Sequence, residues 1–305
     1  MMDRGVIQGN FETPLAFFRM SFRGTYRGCI HLLHGMGEHK ERYLPLADYL
    51  SSCGYTVYAH DHRGHGASLK PDQAVGLWDT TDSFPTMIDD VRIVAEYILK
   101  NEACQTITLI GHSMGSIIAR GFLQSQHPEY IDRVLLLGTI PLTSRLVSAT
   151  QAGLIGLLSV SSRKKINQRK LLIWNVMNQT LKTKQNRHRF NWLSYNEDNI
   201  EAYTSDPLSG YPYNGRFYRQ FFRTIHRLNR VEAWQFPDIP TFIMSGSDDP
   251  VSIGEAALQK TIAAVLKIRP TWRVRLVMIA DAEHEWFREK NPHYALFKEV
   301  LNDAL

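Results

Sequence analysis

Apolar residues recur along this chain in short runs of five or six, and most of the runs end in a cluster of glycine, histidine and acid. Residues 29–33 lead into His34-Gly35-Met36-Gly37-Glu38-His39, and residues 55–59 into Asp61-His62-Arg63-Gly64-His65-Gly66-Ala67-Ser68. Residues 106–110 lead into Gly111-His112-Ser113-Met114-Gly115. Residues 133–137 stop at Gly138 and Pro141. Residues 241–245 lead into Gly246-Ser247-Asp248-Asp249-Pro250-Val251, and residues 274–279 into Asp281-Ala282-Glu283-His284-Glu285. A continuous apolar run of this length bounded by turn residues reads as a strand buried on both faces. Between the runs the spacing turns helical, over residues 42–51, 88–99, 116–124, 253–266 and 293–305. Residues 1–22 carry β-like runs, of which 15–22 is the best, and Arg23-Gly24-Thr25-Tyr26 reads as a turn.

Alternation of strand and helix predicts an α/β fold with a mostly parallel sheet, right-handed crossovers and helices on both faces. The rhythm breaks after Pro141 and resumes at Pro240. The interval holds no convincing buried strand but has an apolar stretch over 152–160, basic helical stretches and aromatic pieces such as Tyr211-Pro212-Tyr213 and Phe217-Tyr218. The expected organisation is one α/β core, residues 1–141 and 231–305, with a mostly helical cap inserted at 142–230.

Composition narrows the class. A chain of 305 residues, 44% hydrophobic and 21% charged, reads as soluble and globular. No apolar run is long enough to span a bilayer, and the N-terminus lacks the apolar core of a secretory signal. Cys29, Cys53 and Cys104 are odd in number and lack C-x-x-C spacing, which argues against a disulfide framework or a zinc site and for a reducing, cytoplasmic setting. Net charge is +5, but residues 142–230 hold 15 of the 35 Lys and Arg and only 4 of the 30 Asp and Glu. The cap is therefore basic and the core slightly acidic.

The chemistry sits where strands end, since ligands in open parallel sheets bind at the carboxyl ends of the strands. Gly111-His112-Ser113-Met114-Gly115 fits G-x-S-x-G between a strand and a helix. There a serine is held at the tip of a sharp turn, and the glycines let the helix pass close to the strand. The following helix N-terminus presents free N–H groups to developing negative charge. Ser113, an aspartate after the next-but-one strand and His284 after the last strand stand in the chain order of an acyl-transfer triad. Ser113 would be the nucleophile, and His284 the base that takes its proton and returns it to the leaving group. Of the two aspartates, Asp249, three residues after Gly246 and directly before Pro250, is preferred over Asp248 for orienting His284. The N–H groups of Met114 and Met36 are the candidate donors to the oxyanion. His34 reads as a support of the loop, and Asp61, Arg63 and His65 as a polar network pinning a glycine-rich turn.

The loops together resemble those of the serine α/β-hydrolases of the monoacylglycerol lipase and lysophospholipase-like group. The resemblance rests on His34-Gly35-Met36-Gly37-Glu38-His39 with Arg42-Tyr43, on Asp61 through Ser68, on Gly111 through Gly115, and on Gly246 through Val251. It covers nearly the whole chain except 142–230, where only the stretch from Asp206-Pro207-Leu208 to Phe217-Tyr218 looks like the cap of bacterial members. It implies an α/β-hydrolase fold and cofactor-free hydrolysis of a carboxylic ester, with Ser113, Asp249 and His284 as triad and Met36 and Met114 as oxyanion donors. The cap is more basic than an enzyme of neutral monoacylglycerols needs, so lysophospholipid and monoacylglycerol both stand as substrates. A small-ester carboxylesterase and an amino- or iminopeptidase on the same fold are the alternatives. Leu154, Ile155, Leu157, Leu158, Trp174, Trp192, Phe217, Phe221 and Phe222 would line an acyl tunnel or form the cap's own core. The runs Arg163-Lys164-Lys165, Arg169-Lys170 and 182–189 would meet an anionic head group or membrane surface. No nucleic-acid motif is present, and the oligomeric state is left open.

Overall fold

A computed structural model of the chain describes residues 1–126, 128–142, 190–234, 238–290 and 293–305. Among them are the strands β1 (Met2–Gln8), β2 (Pro14–Met20), β3 (Gly28–Leu33), β4 (Tyr55–His60), β5 (Ile107–His112), β6 (Ile131–Leu137), β7 (Thr241–Gly246) and β8 (Val274–Ile279). They form one sheet in the order β1-β2-β4-β3-β5-β6-β7-β8. Strands β3 to β8 pair in parallel, and β2 alone runs against its neighbours β1 and β4. The helices are α1 (Leu44–Ser52), α2 (Phe84–Asn101), α3 (Met114–Gln126), α4 (Glu197–Ser205), α5 (Gly215–Leu228), α6 (Glu255–Leu266) and α7 (His293–Ala304). This is the mostly parallel α/β sheet that the pattern of runs predicts and the α/β-hydrolase arrangement that the resemblance implies.

Every buried run of the sequence becomes a strand within a residue or two of its expected ends. Helix α2 starts earlier than its periodicity suggests, and capping explains why. Ser83 Oγ accepts from Thr86 N–H at 3.1 Å, and Thr86 Oγ1 accepts from Ser83 N–H at 3.0 Å. That reciprocal pair satisfies two donors that a helix start leaves open.

Side chains alternate between the two faces of the sheet. On β5, Ile107 and Leu109 join a core with Val91, Val94 and Ile98 of α2 and with Ile117, Ile118 and Phe122 of α3. Ile110 of the same strand joins the opposite core with Leu46 and Leu50 of α1 and Leu301 of α7. Two packed layers therefore hold β5 from both sides, and β5 is the strand that carries the elbow.

Between β6 and β7 the chain leaves the sheet. The described part of this interval holds α4 and α5 and no strand. Phe217 of α5 meets the edge of Trp78 at 4.9 Å and Phe84 at 5.7 Å, and Phe221 lies 5.7 Å from Phe84. These two aromatics thus seat α5 on the body of the protein. Leu154, Ile155, Leu157, Leu158, Trp174, the apolar stretch 152–160 and the basic runs at 163–165, 169–170 and 182–189 lie outside the described residues.

Candidate active site

The turn after β5 is held by close backbone packing. A Cβ on Gly111 would lie 2.5 Å from the Gly115 carbonyl oxygen, and one on Gly115 would lie 2.2 Å from that of Leu33. Neither glycine can be replaced without moving helix or strand. Ser113 itself has φ of 51°, a left-handed conformation uncommon for a residue with a side chain. Its N–H donates to Leu137 O at 2.8 Å, which fastens the elbow to the end of β6. Ser113 is partly open, whereas its neighbours are buried.

The end of β7 carries the two candidate aspartates, and they differ completely. Asp248 is exposed and accepts from Tyr195 Oη at 2.8 Å. Asp249 is buried, accepts from Ser245 Oγ at 2.9 Å and from Val251 N–H at 2.8 Å, and lies 2.9 Å from His284 Nδ1. A carboxylate at Nδ1 assigns the proton to that nitrogen and leaves Nε2 as the acceptor. Nε2 is buried and has no hydrogen-bond partner among the described residues. Burial on its own would push the His284 pKa down. The Asp249 charge and hydrogen bond, with smaller help from Glu285 and Glu38, outweigh it and hold the pKa above 6.5. Burial likewise presses Asp249 upward, but its pairing with His284 brings it below the usual aspartate value.

The serine and histidine turns meet over Gly138. Its φ is 55°, it follows the residue that anchors Ser113, and a Cβ there would lie 2.7 Å from His284 Cε1. The loop after β3 closes the other side: a Cβ on Gly35 would lie 3.3 Å from Ser113 Cβ. Within that loop the N–H groups on either side of Met36 are already used. Gly35 N–H donates to Glu38 Oε1 at 2.5 Å and Gly37 N–H to Tyr213 Oη at 2.6 Å. Met36 N–H has no partner among the described residues. Met114 is the first residue of α3, where N–H groups have no partner within the helix.

His34 lies beneath the loop as a support. Its Nε2 accepts from His62 N–H at 3.0 Å, and its Nδ1 pairs with Gly35 O at 2.8 Å. Asp61 accepts from Lys40 N–H and Ala67 N–H, both at 2.8 Å, and from Lys40 Nζ at 2.7 Å. Arg63 clasps Asp90 with two bonds of 2.6 Å. The network expected around Asp61, Arg63 and His65 is therefore a brace for the turn, below the reactive centre.

Glu38, Arg42, Tyr43 and His112 brace the site through contacts that no local sequence pattern singles out. Glu38 accepts from Gly35 N–H, from Tyr43 Oη at 2.8 Å and from Arg42 Nε at 3.0 Å. Arg42 also reaches Glu285 at 2.6 Å and lies over the Tyr203 ring at 4.7 Å. His112, just before Ser113, bridges Tyr43 Oη at 2.9 Å to the backbone oxygen of His284 at 3.3 Å. Burial disfavours the Glu38 charge, but His112, Arg42 and Tyr43 hold its carboxyl well below the carboxylate range. The pairing of Arg42 with Tyr43 in the motif, three residues beyond the H-G-x-G-E-H loop, was the available signal.

The interval between β6 and β7 also grips the site. Gly210 N–H donates to Gly37 O at 2.9 Å, opposite the Tyr213 contact. Tyr213 Oη is also 2.7 Å from His65 Nε2. Glu285 N–H donates to Leu193 O at 2.6 Å, and the Trp192 ring lies 5.3 Å from that of His284. Of the expected tunnel residues, Trp192 borders His284, whereas Phe217 and Phe221 pack on the body. Among the described residues no group of histidine, cysteine and acid is arranged to hold a metal.

Residues 24–291 match the family described as Hydrolase_4, serine aminopeptidase S33. The chain is 31% identical to the monoglyceride lipase of Mus musculus over 185 residues, 61% of this chain and 53% of that protein. It is 27% identical to the monoglyceride lipase of Rattus norvegicus over 283 residues, 92% of this chain and 81% of that protein. Thus the matched stretch spans about half of the mouse relative and most of the rat one. Among solved structures, a thermostable carboxyl esterase from Bacillus coagulans, in complex with glycerol, superposes with a TM-score of 0.82 at 19% identity. That match covers 99% of this chain and 98% of the other, and it speaks for the fold.

Proposed function

Since the chain belongs to the Hydrolase_4, serine aminopeptidase S33 family, we propose that it is a serine hydrolase cleaving carboxylic esters of lipids, monoacylglycerols or lysophospholipids, through an acyl-enzyme. The observation that carries this reading is the buried Asp249–His284 pair, with Nε2 unpartnered among the described residues, beside the Ser113 elbow. His284 Nε2 takes the Ser113 proton as Oγ attacks the ester carbonyl, and Asp249 stabilises the imidazolium that forms. The N–H groups of Met36 and Met114 receive the oxyanion. The protonated His284 then delivers its proton to the leaving alcohol, and water repeats the cycle on the acyl-enzyme. No cofactor enters any step.

The monoglyceride lipase relatives support a lipid ester as substrate, and the basic composition of 142–230 supports an anionic head group or surface. Residues 142–230 act as the cap, and contact with an anionic membrane through that cap is part of the reading. The free cysteines fit a cytoplasmic, reducing setting. An aminopeptidase, which the family description names, needs a carboxylate for a substrate ammonium. Here Glu38 and Glu285 are both tied to Arg42, and Asp206 lies 2.5 Å from His39 Nε2.

The test is hydrolysis of an acyl-ester series from short to long, ending with monoacylglycerol and lysophospholipid, by wild type and Ser113→Ala. Preference for long chains that disappears with Ser113 supports the reading. A short-chain preference would make the enzyme a small-ester carboxylesterase. Equal turnover in both proteins would remove Ser113 from the chemistry.

A further inference from the structure

Helix α5 has the sequence Gly-Arg-Phe-Tyr-Arg-Gln-Phe-Phe-Arg-Thr-Ile-His-Arg-Leu and holds no acidic residue. Arg216, Arg219, Arg223 and Arg227 follow one another at steps of three, four and four. At about 100° per residue they fall within roughly an 80° arc, and the stripe runs for about 16 Å along the axis. The opposite arc holds Phe217, Tyr218, Phe221, Thr224 and Leu228, all buried. Arg230 extends the stripe just past the helix end. Arg223, Arg227 and Arg230 are exposed, and with Arg216 they form no ion pair among the described residues. Nor can the rest of the interval before α4 neutralise them, since residues 143–189 contain 10 Lys and Arg and no Asp or Glu.

A surface arginine row is ordinarily interrupted by acids, because like charges on one helix face repel. A row kept free of them suits a polyanionic surface. Its position adds direction. Arg216 lies three residues from Tyr213, whose hydroxyl holds Gly37 beside the candidate oxyanion donor. The stripe itself contains no aromatic on which a nucleic-acid base would stack.

We propose that the arginine face of α5, continued by Arg230, is the surface on which the protein docks to an anionic lipid membrane. This deepens the lipid-ester reading and rests on it for its purpose. The stripe begins three residues after Tyr213, whose hydroxyl accepts from Gly37 N–H in the loop after β3.

The experiment is sedimentation of the full-length protein with phosphatidylcholine vesicles, with and without phosphatidylserine. Three proteins are compared: wild type, Arg223→Gln/Arg227→Gln/Arg230→Gln, and the equal-charge control Lys164→Gln/Lys165→Gln/Arg169→Gln. Each arginine near an anionic surface is worth about fivefold in partitioning, so the stripe variant should lose about a hundredfold on phosphatidylserine vesicles. The control should lose far less, and the stripe variant should turn over a short soluble ester as wild type does. Equal losses in both variants would overturn the assignment to α5. So would wild-type indifference to phosphatidylserine, or binding to a DNA duplex in its place. Soluble-ester turnover reports separately on the chemistry: a protein that hydrolyses the ester but ignores vesicles fails only the docking proposal, and one that binds vesicles without hydrolysis fails the esterase reading.

Discussion

Of the buried histidines in β3, β4 and the loops at the carboxyl ends of the strands, six divide into two kinds. His31, His34, His60, His62 and His65 face one another, backbone oxygens and a tyrosine hydroxyl. Their rings pack at centroid distances such as 4.1 Å for His34 and His62 and 5.0 Å for His31 and His60. Burial, reinforced for most of them by neighbouring histidines or Lys40, lowers all five, His60 to about 3 and His65 to about 4. His284 is just as buried, yet its pKa is raised, because a carboxylate lies 2.9 Å from Nδ1. Burial lowers the five, and at His284 the buried Asp249 carboxylate outweighs the same burial.

The largest effect that tests this contrast is at Ser113. Ser113→Ala should lower kcat by about 10⁴- to 10⁶-fold with the fold intact by circular dichroism. Asp249→Asn should lower kcat by about 10⁴-fold, because the amide favours the wrong tautomer. In wild type the acid limb of kcat/KM should lie above pH 6.5, since His284 must be neutral to act and its pKa is raised. In the asparagine variant the limb should move downward. A limb that stays in place would mean that Asp249 does not control His284.

The inert group makes the opposite prediction for stability. The folded state refuses protons that the unfolded chain takes up near pH 6.5, so these histidines leave stability intact above that pH. As pH falls toward 4, each withdraws about 1.4 kcal/mol per pH unit. His284 acts in the reverse sense, adding stability below 6.5 that is lost as pH rises through its own pKa. Because five histidines oppose one, urea midpoints should fall steeply between pH 6.5 and 4. A flat profile would show that the cluster is not neutral and dry.

Smaller effects sharpen the comparison at its edges. Tyr213→Phe removes the acceptor of Gly37 N–H and the partner of His65. It should lower kcat about tenfold with KM little changed, since a loosened oxyanion loop costs less than a lost donor. Asp248→Asn should leave kcat within about twofold, because Asp248 is exposed and its carboxylate accepts from Tyr195 Oη.

The α/β fold was legible because a parallel strand buried on both faces is a continuous apolar run, and here all but the last run, 274–279, are bounded by glycine or proline. The elbow was legible for a related reason. Gly111 is required by contacts within five residues of sequence, so that part of the constraint is written locally, whereas Gly115 is required by Leu33 and His34 at the end of the adjacent strand. Helix α2 began earlier than its periodicity because a Ser83–Thr86 cap, with threonine in place of the usual acid, gives a weaker signal than S-x-x-E. The apolar residues of α5 read equally well as tunnel or core, since amphipathic spacing says that a face is covered and not by what.

The succession of strands and helices along the chain, the turn that holds Ser113 and the residue types able to move a proton follow from the sequence alone, because each depends on spacing over a few positions. Tertiary structure decided the rest. It buried Asp249 and exposed Asp248, adjacent residues of the same type. Among the described residues it left Met36 N–H unpartnered while using up the N–H groups on either side, one of them on a tyrosine 176 residues away. It joined Glu38, Arg42 and Glu285 into one ionic group across 243 residues. Such partners meet only when separate loops converge at the ends of packed strands, and convergence is a property of the folded sheet that no local pattern encodes.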